Sequence, residues 1–381
     1  MYTSLLEHKP SPSTFADAYL IASGLKQREL HGDLEFNRLR EMSPLKICRE
    51  MLYHYDNPDY ADQDDTAILT RAFSMSGGAI SDKFQNIFDS AAIQGTAEIL
   101  DSTQSIAVEV PVNNFQTRPM FVLRQGNRLE LLPKGGTAAA GDLLVAGENW
   151  RVHRYAKWLA FDERDLSDDM AGVIPMLIKQ QAVSAGMMRP DLIYAMLLSN
   201  PTIVDFAAGA DVAVFDATYH KNYATTGSAL ADTTLQAGMT AIGNQHHVDA
   251  NGNILHVSQR PHFLIVPHEL TYTARHLARE ISLGDDDDLE VIPESRLGPL
   301  GLTDPLTGNK YVGSTKNWLL AARPDVLPSI VVGYLFGQKK PRVRKGKLPQ
   351  GQYGLGVDIN LDIGVTMIDY RQLYFATGAG A

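Results

Sequence analysis

Six histidines, His246, His247, His256, His262, His268 and His276, lie close together in the sequence. A zinc site draws three or four ligands from such a set at defined spacing, commonly with a cysteine or carboxylate among them. Here His262 and His268 flank the apolar run Phe263-Leu-Ile-Val266, and the others follow no ligand spacing, so no metal site is expected. Ser74-Met-Ser-Gly-Gly78 invites comparison with a nucleophile turn. A G-x-S-x-G elbow sits between a strand and a helix, and that setting is lacking. Asp285-Asp-Asp-Asp288 offers carboxylates to calcium, but an EF-hand loop spaces its ligands and places a glutamate twelfth. A solvated turn is expected instead. The stretch from Lys339 to Lys347 carries six basic residues in nine. It could touch nucleic-acid phosphates. No aromatic is interleaved for base stacking, so a solvated loop or an ion pair with an acidic neighbour is expected. No catalytic, cofactor-binding or metal-ligating residue is assigned, and no cofactor is expected.

The 381 residues suffice for a large core and more than one domain. Hydrophobic residues at 44% and charged residues at 20% are ordinary for a globular protein. A net charge of −10 excludes a chain that coats nucleic acid along its length, though not one that encloses it. The single cysteine, Cys48, excludes an intramolecular disulfide and fits a reducing compartment. Met1-Tyr-Thr-Ser-Leu-Leu-Glu7 shows no basic region followed by an apolar run, so no signal peptide is expected. No apolar stretch approaches the 18 residues or so of a membrane span.

The elements around these residues are dominated by one helical rod, predicted over residues 166–200. Ser167, Asp168 and Asp169 suit its N-terminus, Ile174, Leu177, Ile178 and Ala185 follow at helical spacing, and Asn200-Pro201 ends it. Pro190 must kink this rod or start a second helix. Upstream, short helices are predicted at 15–24 and 39–53, the second opened by Met42-Ser43-Pro44, followed by a polar linker to Asp65. Their apolar stripes are too short to bury themselves and call for a partner surface. A further helix is predicted over 80–99 and a strand over 106–112. Residues 118–153 read as a long projecting hairpin, with strands at 120–123 and 129–132 and a return from 145. Residues 202–229 read as loop. Beyond them come helices at 235–242 and 267–281, a hairpin turn at 249–256, and strands at 263–266, 289–292, 318–322, 329–335 and 357–375.

The order of these pieces resembles the major capsid proteins of tailed bacteriophages, of the Hong Kong 97-type fold, and is most similar to Mu-like prophage head subunits. The resemblance rests on Ala18-Tyr-Leu-Ile-Ala-Ser-Gly24, Leu39-Arg-Glu-Met-Ser-Pro44, Ser81-Asp-Lys-Phe84, Asp165-Leu-Ser-Asp-Asp169, Leu192-Ile-Tyr-Ala-Met-Leu-Leu-Ser-Asn200, Pro261-His-Phe-Leu-Ile-Val-Pro-His-Glu-Leu270 and Trp318-Leu-Leu-Ala-Ala-Arg-Pro324. It implies an α+β fold: an N-terminal arm (1–65), a peripheral domain in two parts (66–117 and 154–229, the second with the spine helix), an extended loop (118–153), an axial domain (230–345) and a return strand (346–381). It implies hexamers and pentamers in an icosahedral shell, a scaffold, prohead protease and portal as partners, enclosed double-stranded DNA touched weakly and non-specifically, and no membrane. The location implied is the virion, assembled in the host cytoplasm. In the wider family a lysine of the extended loop can crosslink to an asparagine; Lys134 is so placed, but no acceptor matches it, and a plain surface lysine is expected. An encapsulin-type compartment is the rival within the fold, though its chains are usually shorter. An enzyme is the rival outside it, and no triad, metal or phosphate motif supports one.

Overall fold

A computed structural model describes residues 10–22, 34–39, 41–63, 101–123, 145–162, 173–205, 210–248, 254–257, 259–281, 289–325, 327–346 and 354–379, with a few further positions among 4–8, 67–71 and 92–99 and at 132. In chain order the elements are α1 (Pro12–Ala22), α2 (Leu34–Leu39), α3 (Pro44–Tyr55), a 3-10 turn (Pro58–Asp62), β1 (Ala107–Val112), β2 (Arg118–Leu123), β3 (Val145–Trp150), β4 (His153–Asp162), α4 (Val173–Ser199), β5 (Thr202–Asp205), β6 (Ala210–Ala213), β7 (Tyr223–Ala224) and α5 (Asp232–Gly243). Then follow β8 (His246–Val248), β9 (Ile254–His256), β10 (Pro261–Val266), α6 (Thr271–Ile281), β11 (Glu290–Pro293), β12 (Leu302–Thr303), β13 (Lys310–Tyr311), β14 (Trp318–Ala322), β15 (Ile330–Leu335), β16 (Arg342–Gly346), β17 (Gly354–Met367) and β18 (Leu373–Ala376). The chain divides into two compact units, residues 1–100, 154–187 and 338–362 in the first, and 101–153, 188–337 and 363–381 in the second.

The first unit answers a question the sequence left open. Ser43 caps α3, its hydroxyl accepting from the Lys46 amide at 3.4 Å, and Pro44 occupies the first turn, where its missing N–H costs nothing. Phe15, Tyr19, Leu39, Ile47, Cys48 and Leu52 are buried together with Ile178 and Ala182 of α4 and with Val343, Val357 and Ile359. The partner surface expected for these short helices is therefore supplied by the same chain. The residues after α3 are not a bare linker: Asn57 accepts from the Asp59 amide and starts the 3-10 turn. β16 pairs antiparallel with β17, Arg342 opposite Asn360 and Gly346 opposite Gly356, and β4 also pairs with β17. The basic stretch predicted as loop is thus in good part a strand; Val343, buried among charged neighbours, gives the alternation that a count of charges hides.

In the second unit β1 runs parallel to β15, and β15 antiparallel to the end of β17. A second sheet has the order β11–β10–β14–β18–β7. Every residue of β14, β15 and β18 is buried, which is why they read as unbroken apolar runs. α5 and α6 cover the second sheet through Leu235, Ile242, Ala274 and Leu277, packed with Leu264, Leu320 and Tyr374. Gln372 is the polar tie within this core: its side chain accepts from Ser329 N at 2.8 Å and donates to Ala322 O at 2.7 Å and Ile106 O at 3.3 Å.

Residues 202–229, predicted as loop, hold the hairpin β5–β6 and the strand β7. The strands are short, and an Ala/Gly/Thr-rich setting hides them from pattern reading. α4 continues through Pro190 without a break into two helices. The predicted helix start at 166–172, most of the helix at 80–99, the turn at 124–128 and residues 129–131 of the strand at 129–132 lie outside the described residues.

Candidate assembly surfaces

The hairpin arms are present: β2 and β3 pair antiparallel from Arg118 opposite Trp150 to Leu123 opposite Val145. Their base is anchored. Trp150 packs with Val112, Val152 and Leu335. A methyl group at Gly333 would stand 2.2 Å from the indole ring, so only glycine lets the tryptophan lie on that strand. The Arg118 guanidinium lies over the same ring, 5.4 Å from its centre. Glu148 accepts the Val204 amide at 2.6 Å, tying β5 to the hairpin.

The C-terminal half of α4 is held by ion pairs. Arg189 is buried, donates to Glu109 and stands 3.3 Å from an Asp101 carboxylate oxygen. One turn on, the Tyr194 hydroxyl meets Ser102 at 3.0 Å, and Ser102 donates to Glu294. Arg296 joins Glu294 at 3.0 Å and reaches Asp191 on α4. Burial, reinforced by the Glu294 charge, drives the Tyr194 phenol far above its ordinary range, and burial pushes Tyr334 up to about 12. These groups are structural ties. Sequence reading missed them because, the Glu294–Arg296 pair apart, the partners lie far from one another along the chain.

Residues 298–313 form a tightly fastened loop that displays apolar side chains. Asp304 accepts from the Leu306 amide at 2.9 Å and the Thr307 hydroxyl at 2.6 Å, and its own amide donates to Asn309 O at 2.8 Å. Gly301 has φ +63° and no room for a side chain, since Tyr311 O would lie 2.1 Å from an added Cβ. On this frame Leu300 is 81% exposed, Leu306 51% and Val312 58%. Grouped on one loop, they make it a candidate contact surface. Phe336, 66% exposed with φ +52°, is a second such position, held by its amide's bond to Val112 O at 2.6 Å.

The chemical leads of the sequence are dispersed. His246 and His256 face each other across β8–β9, His262 Nε2 accepts from the Arg323 guanidinium at 2.8 Å, and His268 lies in a 3-10 turn. Among the described residues no three His, Cys, Asp or Glu side chains come together as a metal site would require. Ser74, Lys134 and Asp285 to Asp288 lie outside the described residues. No described helix is long and apolar enough to cross a membrane.

Comparison with known proteins completes the description. Residues 147–376 match a family model described as phage capsid protein. No curated relative matches the chain. Solved structures with a similar course include the capsid of cyanophage P-SCSP1u, with TM-score 0.48, 10% identity, and coverage of 80% of this chain and 95% of that one. The capsid of Ralstonia phage GP4 has TM-score 0.45 and 10% identity, covering 72% and 88%. The SrpI encapsulin from Synechococcus elongatus PCC 7942 has TM-score 0.43 and 9% identity, covering 71% and 84%.

Proposed function

The chain belongs to the phage capsid protein family, and from that premise we propose that it is the major head subunit of a tailed phage or prophage, assembling into the hexamers and pentamers of an icosahedral shell around double-stranded DNA. Its mixed helix-and-strand architecture is of the Hong Kong 97-type capsid class. The family is a structural one, not a class of enzymes. The observation that carries the proposal is the extent of the family match, residues 147–376, which runs from the return strand of the hairpin through α4 and, β1 apart, both five-stranded sheets to β18.

Within this reading residues 1–65 are the N-terminal arm, 118–153 the extended loop, 66–117 and 154–229 the peripheral domain, 230–345 the axial domain and 346–381 the return strand. Heterologous contacts between identical copies close into rings when the rotation closes. Obligate interfaces of this kind commonly bury about 2,000 Å² or more, and the hairpin and the exposed leucines of 298–313 are the surfaces suited to supply them. Scaffold, prohead protease and portal are the proposed partners, the host cytoplasm the place of assembly, and the order of sequence motifs favours Mu-like head subunits as the nearest branch.

Negative-stain electron microscopy of the purified protein across concentrations and salts tests the proposal. Round shells, or rings of five or six, are expected. Persistence as a monomer under every condition counts against self-assembly. Shells that carry enzyme cargo and exclude nucleic acid would favour a compartment of the encapsulin kind over a phage head.

A further inference from the structure

In the first unit β4 and β16 both pair with β17. One face of these strands is spent on the core: Val343, Val357 and Ile359 are buried with α1 and α3, and Leu159 packs against them. Side chains alternate along a strand, so Trp158 of β4, Arg342 and Arg344 of β16, and Asp358, Asn360 and Asp362 of β17 lie on the other face. The pairing agrees. Arg342 stands opposite Asn360 and Arg344 opposite Asp358, and Arg154, one turn of the pleat pattern from Trp158 on β4, grips Asp362 at 2.7 and 2.9 Å.

The acids of this face are engaged and two of its cations are not. Asp362 is taken up by Arg154, and Asp358 accepts from Asn360 Nδ2 at 3.0 Å. Arg342 is half-buried and donates to Gln338 at 2.8 Å; Arg344 is exposed. Among the described residues no carboxylate pairs with either arginine, nor with the exposed Lys340 just ahead of the strand. An edge strand needs charge to discourage stray pairing, but one or two residues of either sign suffice. The basic stretch holds no aromatic of its own. The fold brings one to it: Trp158, 42% exposed, shares the face from β4.

We infer that this face binds single-stranded nucleic acid, with Arg342 and Arg344 on its phosphates and Trp158 against an unpaired base. Arginines two positions apart on one strand face stand about 7 Å from each other, close to the step between successive phosphates of an extended nucleic-acid strand. The guanidinium fork suits phosphate oxygens. An exposed indole beside such cations is a platform for a base, and every base has a face to stack. A duplex keeps its bases stacked on one another and gives the indole nothing to hold. The chain's net charge of −10 repels a polyanion elsewhere, so contact is confined to this face and weakens with salt. A single subunit carries the whole face, and no shell is needed for it to act.

Fluorescence anisotropy of a labelled oligothymidylate with the purified protein at low salt is the test, with a labelled duplex of equal length beside it. The single strand is expected to bind more tightly than the duplex. Arg342→Gln with Arg344→Gln should weaken binding and flatten its log–log salt dependence by about 1.4, since each phosphate contact on a single strand contributes about 0.7. Trp158→Ala should weaken single-strand binding about fivefold or more and duplex binding little, and Trp158→Phe should restore much of the loss. Lys310→Gln with Lys316→Gln removes the same charge from exposed positions of the second unit and should change little. Circular dichroism checks that each variant folds, and the wild-type comparison of single strand with duplex stands without any variant. Absence of binding by the wild type overturns the assignment. So does duplex binding as tight as single-strand binding, wild-type affinity in the arginine variant, or an equal loss in the Lys310 and Lys316 variant. Shells that form while the oligonucleotide stays unbound remove this face and leave the shell reading standing; binding without shells does the reverse.

Discussion

Arg189 Nε stands 3.3 Å from a carboxylate oxygen of Asp101, and both side chains are nearly enclosed by protein. A guanidinium in that position cannot shed its charge, so its partners are obligatory. Removing one side of a buried pair costs about 3–5 kcal/mol, since the other side is left unanswered. Arg189→Ala is expected to lose that much in urea-induced unfolding, since Asp101 and Glu109 each lose their arginine partner. A loss below about 1 kcal/mol, the value of an exposed pair, would show that water reaches the site.

The Cys48 thiol makes a pH prediction. Burial raises it to about 12 from 9.0. The folded state therefore keeps its proton where the unfolded state loses it. The associated stability is fully present below pH 9 and falls as pH rises from about 9 toward 12, by up to about 1.4 kcal/mol per pH unit. Cys48→Ala should flatten this part of the stability–pH curve relative to the wild type. A thiol reagent at pH 8 is expected to react only on unfolding; rapid labelling of the native protein would contradict the burial.

The base of the hairpin rests on one missing side chain. Gly333→Ala puts a methyl group against the Trp150 ring, which has Val112, Val152 and Leu335 behind it and cannot retreat freely. Overpacking of this kind costs about 1–3 kcal/mol. Tryptophan fluorescence should shift toward that of an exposed indole, and assembly should weaken along with stability. An unchanged emission spectrum would mean that the ring yields without cost.

Much of the fold was legible because its signals are local. Ser43-Pro44 and the apolar stripe of α3 announced a helix start, Asn200-Pro201 an end, and the unbroken runs Phe263-Leu-Ile-Val266 and Trp318-Leu-Leu-Ala-Ala322 announced buried strands. What escaped depends on distance or shortness. Nothing near Gln372 says that it will bridge Ser329, Ala322 and Ile106. α2 is six residues long, too short to show a helical period. The exposed leucines of 298–313 lie in a stretch with no helical or alternating pattern to place them; the Asp304 and Gly301 geometry shows them facing out.

Those leucines separate folding from assembly. Leu300→Ser with Leu306→Ser removes apolar surface already in water, so the monomer's melting temperature should hold within about 0.5 kcal/mol equivalent. If the loop contacts neighbours, shell yield should fall while secondary structure and melting stay unchanged. Equal yields with and without the leucines would remove the loop from the set of assembly surfaces.

Removal of residues 1–65 provides the opposite case. The sequence implied an N-terminal arm over residues 1–65 whose short helices need a partner surface. The structure places Phe15, Tyr19, Leu39, Ile47 and Leu52, all nearly fully buried, against α4 and β17 within one unit. Each such side chain contributes about 1.5–3 kcal/mol by burial, and five together rival the whole stability of a domain, about 5–15 kcal/mol. The truncation is therefore expected to expose Ile178, Ala182, Val343, Val357 and Ile359, bind a hydrophobic dye, and melt with reduced cooperativity before assembly is tested at all. A truncated subunit with native melting that fails only in shell formation would restore the arm to the outside of the subunit and require its apolar face to be covered by another copy.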